Sequence, residues 1–144
     1  MFRNFNEIYK IAGMNMISGT HKRALKKKIA VIGAGHIGLA LVEELLRGGA
    51  VSASQIIVSS PAFTKIKKLK KFNISVTADN KLAAAKSDIV FIAVKPALVE
   101  KVILEIGEIL KGKLIVSLAA GVTLAQLQKA GKNSGARFAR IMPN

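Results

Sequence analysis

The decapeptide at 29–38, Ile-Ala-Val-Ile-Gly-Ala-Gly-His-Ile-Gly, constrains this chain more than any other stretch. Four apolar residues suited to a buried strand run directly into Gly33, Gly35 and Gly38, spaced G-x-G-x-x-G, and then into a helical pattern over 39–47. Gly33 permits a sharp turn out of the strand. Gly35 lets a pyrophosphate approach the main chain with no Cβ in the way, and Gly38 lets the helix pack close to the strand. Unpaired N–H groups at the helix start then face the phosphates, where the helix dipole favours negative charge. The same glycines can also build a turn with no ligand, and their place between a strand and a helix is what favours the dinucleotide reading.

The rest of the chain repeats the alternation of strand and helix. Strand patterns occupy 55–59, 74–77, 89–94, 113–118 and 136–141, and the run at 89–94 is apolar throughout, as suits a central strand buried on both faces. Helical patterns lie between them. Phe63, Ile66 and Leu69 form one apolar stripe, a short helix follows Asn80, and Leu98, Val102, Ile106 and Ile109 mark the core face of a longer helix. Thr123 is a good N-cap for a helix running to Ala130. Such alternation predicts an α/β fold, a Rossmann-type doubly wound parallel sheet of about six strands in the order 3-2-1-4-5-6.

Composition narrows the function. The 144 residues suit one domain, and a hydrophobic content of 51% with mean hydropathy of +0.37 says that it folds. There is no cysteine, and His21 and His36 are too few and too poorly placed for a metal site, so none is expected. No apolar run approaches the length of a membrane span, so no membrane partner and a cytoplasmic location are expected. The formal charge of +15 is the oddity. It sits in clusters: seven bases against Glu7 in 1–28, then Lys65, Lys67, Lys68, Lys70 and Lys71, then Lys129, Lys132, Arg137 and Arg140. These clusters hold few aromatics and follow helix or strand spacing, so solvated faces explain them and no nucleic acid partner is expected. Residues 1–27 read as a basic, flexible N-terminal extension, and 28–144 as the cofactor domain.

The end of the second strand bears on the cofactor. An NAD-preferring fold places an acidic residue there to accept from the ribose 2′-OH. Here Ser59 and Ser60 precede Pro61, and no acid occurs between Glu44 and Asp79. Two hydroxyls with Lys65, Lys67 and Lys68 downstream can receive a 2′-phosphate instead, which favours NADP(H), with NAD(H) as the alternative. A plain turn before Pro61 is the other reading of the serines.

Six motifs then stand in order: Ile-Gly-Ala-Gly at 32–35, Ile-Val-Ser-Ser-Pro at 57–61, Thr-Ala-Asp-Asn at 77–80, Phe-Ile-Ala-Val-Lys-Pro at 91–96, Ser-Leu-Ala-Ala-Gly-Val-Thr at 117–123 and Arg-Ile-Met-Pro-Asn at 140–144. Together they resemble the N-terminal domain of pyrroline-5-carboxylate reductase. The resemblance implies a cytoplasmic oxidoreductase of proline biosynthesis, which reduces the small-molecule substrate 1-pyrroline-5-carboxylate to L-proline with NADPH or NADH. It also implies roles by motif. Ala34, His36 and Ile37 would line the pyrophosphate, Ser60 would meet the ribose phosphate, and Asn80 would contact the adenosine side. Ala93, Val94, Lys95 and Pro96 would follow the cofactor toward its nicotinamide end, beside Leu118, Ala119 and Ala120. For Lys95 an exposed loop lysine, and for Asn80 a simple helix cap, are the alternatives.

His36 stands where the family commonly has Asn or Gln. The family also continues beyond the last motif into a helical domain that builds a homo-oligomer and much of the imine pocket, and that dimerisation domain is missing from 1–144. No residue here has an evident proton-donor role, so no catalytic residue is assigned, and the chain alone is expected to bind cofactor while reducing the imine weakly or not at all. A cofactor domain of another small-substrate dehydrogenase and a non-catalytic basic binding module are the competing readings.

Overall fold

A computed structural model describes residues 5–11, 25–49 and 51–142. The elements run α1 (Phe5–Ile11), β1 (Ile29–Ile32), α2 (His36–Arg47), β2 (Ile56–Ser59), α3 (Phe63–Lys70), β3 (Ser75–Thr77), α4 (Asn80–Ala85), β4 (Ile89–Ile92), α5 (Val99–Ile106), β5 (Leu114–Ser117), α6 (Leu124–Ala130) and β6 (Arg137–Arg140). All five strand pairings are parallel, and the sheet order is β3-β2-β1-β4-β5-β6. The expected α/β fold and strand order are borne out.

Alternation within each strand divides the core into two layers. Ile29, Val31, Ile56, Val58, Phe91 and Val116 face the layer that includes Leu41, Val42 and Leu45 of α2. Ala30, Ile32, Ile57, Val90, Ile92 and Ile115 face the other, with Ala83 and Ala84 of α4, Val102, Ile103 and Ile106 of α5, and Leu127 of α6. All four residues of β1, β2 and β4 are buried, because helices cover both faces of a parallel sheet.

Some expectations shift. Leu98 is 45% exposed rather than on the core face. Pro96–Leu98 form a 3-10 turn, which advances the chain by three residues per turn and rotates Leu98 away from the face that α5 buries through Val99, Val102, Ile103 and Ile106. The fourth strand ends at Ile92, before Ala93 and Val94. Gln55 belongs to a 3-10 turn, Ala53–Gln55, and its amide donates to the carbonyls of Leu25 and Lys27, tying β2 to the lead-in of β1.

Within the N-terminal segment, residues 5–11 form α1. Ile8 and Tyr9 of α1 are 1% and 6% exposed, and Ile8 joins the layer around α2. An apolar pair on an amphipathic helix can cover an otherwise open patch of core while its charged residues, here Glu7 and Lys10, stay in water. The side chains of Phe63 and Lys65, and residues 143–144 of the last motif, lie outside what is described.

Candidate functional site

Register brings the site together. Ile32 lies opposite Ser59 and Ile92, Ser59 opposite Thr77, and Ile92 opposite Ser117, so the C-terminal ends of β1 to β5 form one edge. Backbone bonds continue just past it. Gly33 N–H donates to the Ser59 carbonyl at 2.8 Å, Ala93 N–H to Ile32 at 2.8 Å, Ser60 N–H to Thr77 at 3.0 Å and Leu118 N–H to Ile92 at 3.0 Å. Strand order reverses at β1, whose neighbours are β2 and β4, and such sheets hold ligands in the crevice at that switch point.

The glycines of the first loop do three different jobs. Gly33 has φ of +108°, and a Cβ there would come 2.4 Å from the Ala93 carbonyl oxygen. A Cβ on Gly38 would come 2.0 Å from the Gly33 carbonyl oxygen. Both glycines are therefore required by the protein itself, which packs β1, α2 and the end of β4 against one another. Gly35 is different. Nothing lies within 4 Å of its Cβ position, so the folded protein has room for a side chain there. Gly35 is also the N-cap of α2, no side chain caps that helix, and its first turn carries no acid. The N–H groups at this end face an open, uncapped position that suits an anion.

The other expected residues sort by what they expose. Ala34 and Leu118 are buried in the layer around α2, so only their main chain can meet a ligand. Ile37 is partly buried against that layer, and His36 is exposed at the first position of α2. Ala93 and Val94 are half-buried, Lys95 and Pro96 exposed, Ala119 buried and Ala120 exposed. Lys95 lies three residues past the end of β4 and immediately precedes the 3-10 turn that begins at Pro96.

The two serines behave differently from a matched pair of phosphate donors. Ser59 is 0% exposed, and its Oγ donates to Asn80 Oδ1 at 2.6 Å. Ser60 is also buried, and its Oγ accepts from Ala62 N–H at 3.3 Å, which leaves its own proton available. Asn80 is the first residue of α4, and the cap is Asp79, whose Oδ1 accepts from Lys81 N–H and Leu82 N–H. Asn80 Nδ2 donates to Glu105 Oε2 on α5 at 3.1 Å. Sequence reasoning missed Glu105, whose only signal was an acid on the exposed face of a helix. A groove of about 290 Å³ between α5 and α6 is lined by Pro96, Val99, Ile103, Val122 and Leu127, so it shares Pro96 with the expected site and includes no residue of the glycine loop.

Among the described residues, no group of three or more His, Cys, Asp or Glu is placed to hold a metal ion, and no helix is long and apolar enough to cross a membrane.

A family profile described as "NADP oxidoreductase coenzyme F420-dependent" matches residues 28–121. The chain belongs to this family. It is similar to pyrroline-5-carboxylate reductase of Escherichia coli (strain K12), 40% identical over 122 residues, 83% of this chain and 45% of that protein. It also matches the solved structure of a pyrroline-5-carboxylate reductase from Coxiella burnetii, at 32% identity and a TM-score of 0.76, over 82% of this chain and 44% of that one. An imine reductase from Myxococcus stipitatus, solved in complex with NADP+, aligns at 25% identity and a TM-score of 0.67, over 78% of this chain and 39% of that one. The resemblance carried by the six motifs is thus borne out for the N-terminal domain. The chain spans less than half the length of the curated relatives it matches.

Proposed function

We propose that the crevice at the C-terminal edge of the sheet holds NADP(H), and that the chain serves as the cofactor domain of a reductase of C=N bonds, with 1-pyrroline-5-carboxylate as substrate and L-proline as product. The observation that carries this is the contrast among the glycines. Gly33 and Gly38 are explained by packing inside the protein, whereas Gly35 faces open space at the uncapped start of α2, where only an approaching ligand requires the missing side chain.

The residues present fit such a ligand. Main-chain groups of Ala34, His36 and Ile37 would meet the pyrophosphate, and the Ser60 hydroxyl and the Asn80 amide would meet the adenosine end. Ala93 to Pro96 and Leu118 to Ala120 would border the nicotinamide end, where Ala119 and Ala120 leave space for a ring. Bound NADPH supplies the hydride. The relatives support this choice of substrate, since the pyrroline-5-carboxylate reductases and the imine reductase are both named for a C=N bond. On this reading the protein works in the cytoplasm.

NADP is favoured over NAD because the end of β2 offers a hydroxyl proton from Ser60 and carries no acidic residue of its own to accept from a ribose 2′-OH. Calorimetric titration of the 144-residue chain is expected to show NADPH bound at least about tenfold more tightly than NADH, a difference of ~1.4 kcal/mol. Equal affinities would overturn the choice of NADP, and binding of neither would overturn the cofactor site.

A further inference from the structure

Three polar side chains from three elements form a chain beside the crevice: Ser59 at the end of β2, Asn80 at the start of α4 and Glu105 on α5. The two ends of an amide are alike in shape and opposite in hydrogen bonding, so a neighbour must decide which way Asn80 points. An ionised carboxylate only accepts. Glu105 Oε2, 3.1 Å away, therefore holds Nδ2 toward α5, which turns Oδ1 toward Ser59 and obliges the Ser59 hydroxyl to donate across 2.6 Å.

We propose that Glu105 is a positioning residue for the adenosine end of the dinucleotide, acting through the orientation of the Asn80 amide. The inference rests on the cofactor reading above and names a residue on α5, outside the glycine loop. With Glu105 in place, the only proton of Ser59 is committed to Asn80. The donors left for a ligand are the Ser60 hydroxyl and the second Nδ2 proton of Asn80, which has no partner among the described residues. A carboxylate near a 2′-phosphate opposes its binding by charge alone. The two effects of Glu105 are therefore opposite in sign, and a pair of substitutions separates them.

Glu105→Gln removes the charge and keeps an acceptor for Asn80 Nδ2 while adding an amide donor, whereas Glu105→Ala removes both charge and acceptor. Glu105 is exposed, so both variants are expected to fold, as thermal melts would confirm. Titration with 2′,5′-ADP, which carries only the adenosine end, is expected to show Glu105→Gln binding at least as tightly as the unmodified chain. Glu105→Ala is expected to bind about fivefold more weakly than Glu105→Gln, the effect of losing one hydrogen bond that orders the site. Nicotinamide mononucleotide, which lacks that end, is expected to bind all three proteins alike. Equal affinity of the two variants for 2′,5′-ADP overturns the inference, and so does a parallel loss for both probes, which marks a general disturbance. If the unmodified chain binds no 2′,5′-ADP, the cofactor reading falls and this inference falls with it. If it binds and the variants match each other, only the role of Glu105 falls.

Discussion

At the scale of single residues, the glycine loop separates requirements of folding from requirements of binding. Gly38→Ala sets a Cβ against a backbone carbonyl, which neither helix nor loop can yield without moving, and is expected to cost about 1–3 kcal/mol in chemical denaturation. Gly33→Ala adds a left-handed φ to a similar clash and is expected to cost at least as much. Gly35→Ala meets nothing and is expected to leave stability within about 0.5 kcal/mol of the unmodified chain, while calorimetry shows NADPH affinity falling about tenfold. A Gly35→Ala protein that binds NADPH normally would sink the claim that this glycine exists for a ligand. The serines make a second test. Ser60→Ala is expected to weaken NADPH binding about three- to tenfold and leave NADH binding unchanged, because only the 2′-phosphate loses a donor. The glycine spacing was legible in the sequence because it reports backbone geometry. The division of labour between Ser59 and Ser60 was not, because two adjacent hydroxyls look alike until their partners are known.

At the scale of elements, α1 offers the clearest test. Ile8 is buried in the layer around α2, and the Tyr9 hydroxyl lies where a Cβ on Gly48, just past the end of α2, would have to go. Ile8→Ala is expected to cost about 2–4 kcal/mol if the helix stays docked through unfolding, and a loss below about 0.5 kcal/mol would show that α1 contributes nothing to the folded domain. Tyr9 adds a pH signature. Burial, and then the nearby Glu44 carboxylate, push its phenol above its usual value of 10.0, so the folded protein keeps this proton where the unfolded chain has released it. The resulting stability is complete below pH 10 and is lost as pH rises beyond it. Tyr9→Phe is therefore expected to lose less Tm than the unmodified chain between about pH 9.5 and 11, with lysine titration common to both. Parallel curves would contradict the burial of this side chain. Helix periodicity revealed α5 but misplaced Leu98, since a 3-10 turn at its start changes the angular step without changing the residue pattern.

At the scale of the whole molecule, the described residues build a six-stranded sheet with a switch point at β1, and the chain spans less than half of the relatives it matches. On the proposed reading, main-chain groups, small side chains and Lys95 border the nicotinamide end, and among the described residues assigned there, Ala93 to Pro96 and Leu118 to Ala120, none is an acid or a histidine that could hold an imine proton. The 144-residue chain assayed alone is accordingly expected to bind NADPH yet to oxidise it with 1-pyrroline-5-carboxylate at below about 0.01 s⁻¹, against the 1–10³ s⁻¹ typical of enzymes. Turnover in that typical range would show that residues 1–144 contain a working imine site. The charge of +15 enters here as a surface property. Lys67, Lys68, Lys70 and Lys71 are exposed, so NADPH affinity is expected to fall as salt screens them.

The sequence by itself determined the α/β fold and the sheet order, and it pointed to the glycine loop proposed to hold the phosphates. These follow from local features: period-2 and period-3.6 apolar patterns, and the spacing of three glycines between a strand and a helix. Only the tertiary structure decided that Gly35 is the glycine left open, that Ser59 turns inward while Ser60 keeps its proton, that Glu105 orients Asn80, and that α1 covers part of the core. The hydrogen bonds concerned join residues 21 and 25 positions apart, on elements that meet only after the sheet has assembled. Polar partners leave no periodic trace along the chain, because a hydrogen bond depends on where two atoms come to rest and not on the spacing of the residues that carry them.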